Sequence, residues 1–409
     1  MKVKEENVPV LRFPGFDGEW ADNKISRLFK IKAGGDIEQS HVSDIKTDRF
    51  KYPIYANAKK LKGFYGFSDL YKFSPSVITI AGRGVNIGIA HVRTHKFYPI
   101  VRLLILIPKG KASVFFFEYA FNRMNIFIES TGVPQLTAPQ LSTYHVAFPT
   151  LPEQQKIASF LTAVDSKIEQ LGKKKALLEQ YKKGMMQKLF SQELRFKDEQ
   201  GNEFPEWETK YFGELYEFKA TNSFSRNQLN YETGQVRNIH YGDIHTRFKP
   251  QFELFREDVP FINPDVNLDN ISDDKFCKEG DLVIADASED YEDIGKTIEI
   301  VSLDGAKVLA GLHTLLARSS TNCIYIGYSS YMMVSSSVRK QIKLIAQGAK
   351  VLGISGKRME KIKVPIPHKE EQRKIATFLS SIDKKINLIT TELEKAQTFK
   401  KGLLQQMFV

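Results

Sequence analysis

The sequence contains only two cysteines, Cys277 and Cys323, in 409 residues. A disulfide framework and a multi-cysteine zinc site are therefore excluded, and we expect both thiols to be reduced and structural. Long apolar runs are also absent, because the best one, Leu103 to Ile107, is far too short to cross a bilayer. The first residues lack the apolar core of a signal peptide. We therefore expect a globular protein of the cytoplasm.

Catalytic signatures are equally scarce. The chain has neither the cofactor loop nor the Asn/Asp-Pro-Pro-aromatic motif of a methyltransferase. Gly295-Lys296-Thr297 resembles the end of a phosphate-binding loop, but Asp290 stands where that loop needs its earlier glycine. The acidic run over residues 281–293 is more typical of a solvated surface than of a Mg²⁺ site. We expect no catalysis, no metal and no cofactor in this chain.

The chain is instead rich in positive charge, with a formal net charge of +11 and a pI near 9.2. Such a balance favours a polyanionic partner such as nucleic acid, although membrane-surface proteins and ordinary basic enzymes share it. The hydrophobic content of 42% and charged content of 26% are those of a folded protein. Its length suits two medium domains with connecting elements.

An internal repeat fixes the organisation. Residues 153–190 return as residues 371–408 after a shift of 218, with 15 of 38 positions identical and no gap. Chance would give about one identity in fifteen for typical compositions. The segments that open the two halves also echo each other, since Leu11-Arg12-Phe13 returns as Leu194-Arg195-Phe196. The chain is therefore a tandem repeat in which two unlike segments alternate with two similar ones.

Both repeated segments carry apolar residues at alternating steps of four and three, which is the period of a coiled coil. We call these positions the seam: Ile157, Leu161, Val164, Ile168, Leu171, Leu178, Met185 and Leu189 in the first copy, and Ile375, Leu379, Ile382, Ile386, Ile389, Leu393, Ala396, Leu403 and Met407 in the second. A helix of this length spans roughly 57 Å, so it needs a long partner, and the obvious partner is the other copy. Lysines interrupt the seam, and we expect the pairing to loosen near Lys175 and Lys182.

The order of segments predicts the architecture. We expect globular domains over residues 1–151 and 196–367, and helical segments over residues 152–195 and 368–409. Because the termini of a domain usually lie close together, the two helices should run antiparallel, with the halves related by an approximate two-fold axis. The globular domains read as mixed α/β, with strands expected in the four β-rich runs Ser76–Ile80, Leu103–Ile107, Asp281–Ala285 and Lys296–Val301.

These segments resemble a known family. Pro149-Thr150-Leu151-Pro152-Glu153 and the helix that follows, with their echo up to Lys385-Ile386, are similar to the helical regions of type I restriction–modification specificity subunits. The resemblance implies that residues 1–151 and 196–367 are target recognition domains, each reading one half of a split DNA target. It also implies that the helices set the spacer between the half-sites and dock the modification subunits.

The same resemblance implies the partners. Two modification (methyltransferase) subunits would bring S-adenosylmethionine and methylate adenine, and restriction (endonuclease and translocase) subunits would add ATP- and Mg²⁺-dependent translocation and cleavage. None of these cofactors is expected on this chain, which would contact double-stranded DNA and no membrane.

Candidate DNA-contacting residues are side chains able to meet phosphates or base edges. They are Lys59, Lys60, Lys62, Arg83, Arg93, His95 and Lys96 in the first domain, and His240, Tyr241, His245, Arg247, Lys249, Lys350, Lys357 and Arg358 in the second. Of these, we interpret residues 240–245 as a polar recognition loop. Two other functions stay open at this point, a metal-dependent DNA endonuclease and a coiled-coil scaffold that does not read DNA.

Overall fold

A computed structural model describes residues 7–58, 60–124, 126 and 134–409. It divides into two compact units. Unit 1 comprises the chain up to Lys174 together with Ile389–Val409, and unit 2 comprises Lys175–Leu388. Each unit thus holds one globular domain with parts of both long helices. In the described part of the chain, no helix combines the length and the apolarity that a membrane span requires.

The elements of the first half, in chain order, are β1 Ala21–Lys24, α1 Ile25–Leu28, β2 Phe29–Ala33, β3 Val42–Ser43, β4 Tyr52–Tyr55, β5 Phe64–Ser68, β6 Val77–Ile80, β7 Ala90–Arg93, β8 Tyr98–Pro99, β9 Leu104–Pro108, α2 Val114–Arg123, α3 Ala138–Thr143, β10 His145–Phe148 and α4 Leu151–Phe190. One four-stranded sheet has the order β2-β9-β6-β7, and a second has the order β3-β5-β4-β8 with β4 and β8 parallel. Helix α2 buries Phe116, Phe117 and Phe121 in the core of unit 1. Ser113 immediately precedes this helix, and its hydroxyl accepts a hydrogen bond from Phe116 N in the first turn.

The elements of the second half are β11 Glu208–Tyr211, α5 Phe212–Leu215, β12 Tyr216–Lys219, β13 Leu229–Asn230, β14 Val236–Ile239, α6 Tyr241–Thr246, β15 Gln251–Glu253, β16 Phe261–Ile262, β17 Leu282–Ala285, β18 Ala287–Ser288, β19 Thr297–Ser302, β20 Lys307–Ala310, β21 Thr314–Ser319, α7 Ser329–Val334, α8 Ser336–Ile345, β22 Leu352–Gly353, α9 Gly356–Met359, β23 Lys363–Ile366 and α10 Lys369–Gln406. The main sheet has the order β12-β21-β17-β19-β15, and a second sheet has the order β13-β16-β14-β20 with β14 and β20 parallel. Tyr216, Tyr328 and Tyr331 are fully buried in the core of unit 2.

The two units are built on the same plan. In each main sheet the order β2-β9-β6-β7 recurs as β12-β21-β17-β19, with β15 added at the edge of unit 2. Each second sheet contains one parallel pair of strands, β4 with β8 or β14 with β20. The chain passes from the second strand of that pair directly into the next strand of the main sheet. The mixed α/β fold is confirmed, and the four β-rich runs predicted from the sequence are strands β6, β9, β17 and β19.

The long helices pair in opposite directions within each unit. In unit 1 the beginning of α4 packs against the end of α10, with Ile157 and Leu161 in one core cluster with Leu403 and Met407. In unit 2 the end of α4 packs against the beginning of α10, where Leu189 joins Ile375, Leu379 and Ile382 in the core. The antiparallel coiled coil is therefore confirmed. Every seam position is buried or half-buried.

The loosening expected near Lys182 is not found, and Lys400 makes the equivalent contact in unit 1. Lys182 Nζ lies 2.6 Å from Asp383 Oδ1, and Lys400 Nζ lies 2.5 Å from Asp165 Oδ1. Each aspartate also accepts a hydrogen bond from a tyrosine of the adjoining domain, at 2.7 Å from Tyr119 and 2.8 Å from Tyr331. The expectation at Lys182 was wrong because the lysine faces an aspartate of the partner helix rather than another lysine.

Matching contacts fasten each globular domain to the helices. Glu153, in the first turn of α4, accepts hydrogen bonds from Arg12 Nε at 2.7 Å and Nη2 at 2.8 Å. Glu371, in the first turn of α10, accepts from Arg195 Nε at 3.2 Å and Nη2 at 2.7 Å. The backbone makes equivalent contacts as well. Leu11 N donates to the carbonyl of residue 406, and Leu194 N donates to the carbonyl of residue 188, which is the equivalent position in the repeat. We call each Arg–Glu pair a clamp.

Candidate nucleic-acid interface

Loops from both sheets of unit 1 converge at one end. The side chain of Asn57 joins them, because its Oδ1 accepts from Gly82 N at 2.9 Å and its Nδ2 donates to Val101 O at 2.5 Å. The loop after β8 is held in turn by Ile100 N, which donates to Tyr55 O at 2.9 Å. We call residues 56–58, 60–63, 81–89 and 100–103 the first loop edge. It is a fixed platform rather than a set of separate loops.

The first loop edge carries strained backbone and exposed apolar side chains. Leu61, Lys62, Val101 and Arg102 all have φ between 50° and 56°, the left-handed region that costs a non-glycine residue about 1–2 kcal/mol. Val85 is 99% exposed and Leu61 is 77% exposed. Strain of this kind clusters at functional sites. Apolar tips beside cations such as Lys62 and Arg102 suit contact with bases and phosphates together.

The candidate residues of the first domain fall in different environments. Lys62 is exposed on the first loop edge. Arg83 lies there too, with Nε and Nη2 donating to Gln135 Oε1 at 3.1 and 2.8 Å. Arg93 is only 3% exposed, and its guanidinium donates to Thr79 Oγ1 and Lys62 O while lying over the ring of Tyr55. Burial lowers the pKa of Arg93 to about 10, which leaves it charged at neutral pH.

The remaining candidates of this domain lie elsewhere. Lys59 falls outside the described residues, as does the side chain of Lys60. His95 Nε2 lies 2.9 Å from Tyr55 Oη, and the pKa of His95 is lowered by partial burial and by the charge of Arg93. Lys96 lies 4.4 Å from the ring centroid of Tyr71. The first loop edge therefore brings together Lys62 and Arg83 but not His95 and Lys96.

Unit 2 has a corresponding platform at the same end of its sheets. Gly311 N donates to Ile239 O at 2.9 Å, as Ile100 does to Tyr55 in unit 1. Asn222 Nδ2 donates to Asn238 Oδ1 at 2.7 Å and thereby draws in the loop after β12. We call residues 220–222, 240–246, 286–296 and 311–313 the second loop edge. Residues 347–353 join it through the pairing of β18 with β22.

The segment interpreted as a polar loop is in fact a short helix. His240 is the residue before α6, and its Nδ1 accepts a hydrogen bond from Gly242 N at 3.1 Å. The loop prediction was wrong because a capping histidine is not a usual sign of a helix start. Burial and the charge of Arg226 lower the pKa of His240, which favours the neutral ring that this acceptor role requires.

Three histidine rings surround Tyr241. The centroid distances are 4.7 Å to His240, 6.2 Å to His245 and 5.3 Å to His313. His313 Nδ1 lies 3.4 Å from Asp286 Oδ1, and burial raises the pKa of Asp286 against the lowering effect of His313. These rings and polar atoms can stack on and hydrogen-bond to bases. His240, Tyr241 and His245 are therefore brought together at the second loop edge.

The other five candidates of the second domain are more dispersed. Arg247 is engaged by Tyr231 and Asp258, each at 2.7 Å. Lys249, Lys350 and Lys357 are exposed, and Lys350 lies in the segment that joins the second loop edge. Arg358 donates to the carbonyl of residue 345 at 3.2 Å. Whether any of these side chains contacts DNA stays a prediction.

Sequence reasoning missed several residues of the two platforms. Leu61, Val85, Val101, Arg102 and His313 were not among the candidates. Arg102 and His313 each follow a strand, β8 or β20, and precede the next by one or two residues. A polar residue in so short a turn could have been recognised as a candidate from the sequence. The exposed Leu61, Val85 and Val101 could not, because an apolar residue does not by itself indicate a binding surface. Within the described residues, no group of three or more His, Cys, Asp or Glu side chains is placed to hold a metal ion.

Comparison with known proteins places this geometry in a family. The type I restriction modification DNA specificity domain matches residues 17–180 and again residues 205–398. The chain belongs to the type I restriction–modification specificity-subunit family. The resemblance seen in the sequence is thus confirmed, and the domain of this family occurs twice in the chain.

Individual relatives agree. The Type I restriction enzyme MjaVIII specificity subunit of Methanocaldococcus jannaschii is 27% identical over 301 residues, which cover 70% of this chain and 67% of that protein. The Mycoplasma pneumoniae protein S.MpnORF507P, whose name describes it as a type I specificity subunit, is 33% identical over 142 residues, covering 33% of this chain and 39% of that protein. The crystal structure of the S subunit from M. genitalium matches with a TM-score of 0.65 at 17% identity, over 98% of this chain and 99% of that one. The last match shows the shared fold.

Proposed function

We propose that this specificity subunit reads a split DNA target, one half through each loop edge. The observation that carries the proposal is that equivalent ends of the two sheets hold converging loops with unlike side chains. The first loop edge presents Lys62, Arg83 and Val85, and the second presents Tyr241 and its histidines. A common scaffold with different side chains is what two different half-sites require, since base edges are distinguished by donor, acceptor and methyl patterns.

We further propose that the paired helices set the spacer between the half-sites and dock two modification subunits. Those subunits would bind S-adenosylmethionine and methylate adenine, while restriction subunits would supply ATP- and Mg²⁺-dependent cleavage. The chain itself would be non-catalytic and would work in the cytoplasm, where the DNA is. Adding seven residues to both helices should lengthen the preferred spacer, whereas adding them to one helix should disrupt the pairing.

The decisive experiment is co-expression with the modification subunit followed by sequencing of methylated adenines. We expect a motif of two specified parts separated by unread bases, present only when this chain is expressed. Methylation of a continuous motif, or of the same motif without this chain, would contradict the proposal. The purified chain alone, incubated with DNA and Mg²⁺, should leave the DNA intact, and cleavage would support the endonuclease alternative instead.

The assignment of half-sites can be tested separately. Replacing Lys62 and Arg102 with alanine should weaken discrimination in one half of the motif, because both cations flank the exposed apolar tips of the first loop edge. Replacing Tyr241 with alanine should affect only the other half. Lys30 is a suitable control because it is exposed on β2, opposite Ile107 and away from the first loop edge. Loss of both halves by either change would contradict a separate reading of the two half-sites.

A further inference from the structure

Unit 1 contains an open groove that lies away from the first loop edge. Its volume is about 1010 Å³. One wall is the linker between β9 and α2, a second is the segment before β6, and the third is the part of α4 that carries Gln155, Ala158 and Ser159. The first loop edge lies at the opposite end of strands β6 and β9, so the groove is separate from the candidate DNA interface.

The chemistry of the groove is apolar and basic. Phe73, Ile107 and Phe115 contribute apolar surface. Three lysines, Lys32, Lys72 and Lys111, also line it, and no aspartate or glutamate does so among the described residues. None of the three lysines has an ion-pair partner in the described part of the chain. A complementary occupant therefore combines apolar side chains with carboxylates.

The equivalent place in unit 2 is filled by the chain itself. Measured from the end of the strand to the equivalent contact with α4 or α10, the two linkers differ by one residue, because Tyr325 follows β21 by six residues and Ser113 follows β9 by five. In unit 2 the linker contacts both sides of the equivalent place. Ile326 lies against Gly280 on one side, and Gly327 lies beside Ala376 of α10 on the other. Ile324 and Tyr325 pack against the core there. Ala376 corresponds to Ala158 in the repeat.

Equivalent glutamines at the starts of α4 and α10 anchor the two linkers. Gln372 Oε1 accepts from Tyr325 N at 2.9 Å, and Gln154 Oε1 accepts from Ser113 N at 3.0 Å. In unit 2 the amide of Gln372 also donates to Cys323 O at 2.9 Å, a contact for which the shorter linker has no counterpart. By these anchors Ser113 stands where unit 2 has Tyr325, and Ala112 stands where it has Ile324. The groove of unit 1 thus lies where the linker carries smaller side chains.

We propose that an extended segment of a partner polypeptide, with aliphatic or aromatic side chains flanked by carboxylates, occupies this groove in unit 1 only. The inference rests on the proposed function, in which the partner is a modification subunit. The chain's own Ile324-Tyr325-Ile326 is the precedent for the apolar part of such a segment. The three lysines supply the charge that selects an acidic one. Two partner subunits therefore bind unequally, because the equivalent place in unit 2 is occupied by its own linker.

A matched pair of variants tests the groove. Ser159 and Thr377 are equivalent, exposed positions of α4 and α10. In the assembled complex with modification subunits, Ser159→Trp should fill the groove and weaken the binding of one modification subunit by at least about tenfold, as loss of a central anchor does. Thr377→Trp, beside a place already filled, should leave both subunits bound. The stoichiometry is measured by native mass spectrometry across a concentration series.

A photocrosslinking amino acid at the same two positions identifies the occupant. At position 159 it should capture an acidic, apolar segment of the modification subunit, and at position 377 it should not. Reversal of charge at Lys72 and Lys111 should weaken the same contact, and more so at low salt. Equal effects of the two tryptophan variants would overturn the inference, as would capture at 159 of DNA, a second copy of the chain or no polypeptide. Failure of the wild-type chain to bind any modification subunit would instead overturn the proposed function, and the inference with it.

Discussion

Breaking the clamp between Arg195 and Glu371 should destabilise unit 2 more than any surface ion pair does. Glu371 is 0% exposed, and it accepts hydrogen bonds from Arg195 and, at 3.0 Å, from Trp207 Nε1. Arg195→Met leaves this carboxylate buried without its cation, which typically costs about 3–5 kcal/mol. The first turn of α10 offsets up to about 1 kcal/mol of that cost, because the helix dipole favours a negative charge there. We expect a loss of about 3 kcal/mol of unfolding free energy.

The two tryptophans make the measurement specific. Trp20 lies in unit 1 and Trp207 in unit 2, and the sequence has no others. In a Trp20→Phe background, urea unfolding followed by tryptophan fluorescence therefore reports unit 2. The exposed pair Lys197–Glu203, whose side chains are 57% and 61% exposed, is the control. Lys197→Met should cost less than about 1 kcal/mol.

The double variant separates a buried charge from a lost contact. Arg195→Met with Glu371→Gln removes the uncompensated charge, so it should be less destabilised than Arg195→Met alone. The outcome that contradicts this is a double variant whose loss of unfolding free energy equals the sum of the two single losses. A loss below about 0.5 kcal/mol for Arg195→Met would likewise show that the clamp does not stabilise unit 2. The argument from burial would then be refuted.

Three further changes test other parts of the structure. Gly63→Ala should cost about 1–3 kcal/mol in thermal denaturation, because φ is +84° and the new Cβ would lie 2.5 Å from Ala56 O, whereas Gly110→Ala, which meets open space, should change little. Burial raises the pKa of Glu299 to about 7 from 4.5, so the folded state binds its proton more tightly than the unfolded state. The unfolding free energy should thus fall by up to about 3 kcal/mol as pH rises through that interval, and Glu299→Gln should abolish the slope. A circular permutant that joins residue 409 to residue 8 and opens between residues 192 and 193 should fold, as checked by circular dichroism, and direct methylation to the same motif.

The helices could be predicted because their signal is periodic and duplicated. A period of 3.5 residues fixes the buried face, and the shift of 218 residues identifies the partner. The lysine error was avoidable. Asp165 and Asp383 are identical in the repeat, and antiparallel pairing in one register places each opposite Lys400 or Lys182. The strands were found for a similar reason, since β6, β9, β17 and β19 are short apolar runs between turn residues.

The two platforms could be predicted only in part. Lys62, Arg83 and Tyr241 were recognised by residue type, but the left-handed backbone of Leu61 and Val101 leaves no mark in a sequence, since glycine usually fills such positions. Arg93 shows the converse limit. A cation in the sequence is usually exposed, yet this one is buried between Tyr55 and Thr79. Neither the strain nor the burial is a local property of the chain.

The clamps have a consequence for how new specificities can arise. Each globular domain is fastened to the helices by one arginine at its entrance and one glutamate just past its exit. A foreign segment spliced between Arg195 and Glu371 would keep both ends of that attachment, whatever bases it recognised. Under the proposed function, a recombination event that exchanges this segment would change the methylated motif and leave the helices that dock the modification subunits unchanged.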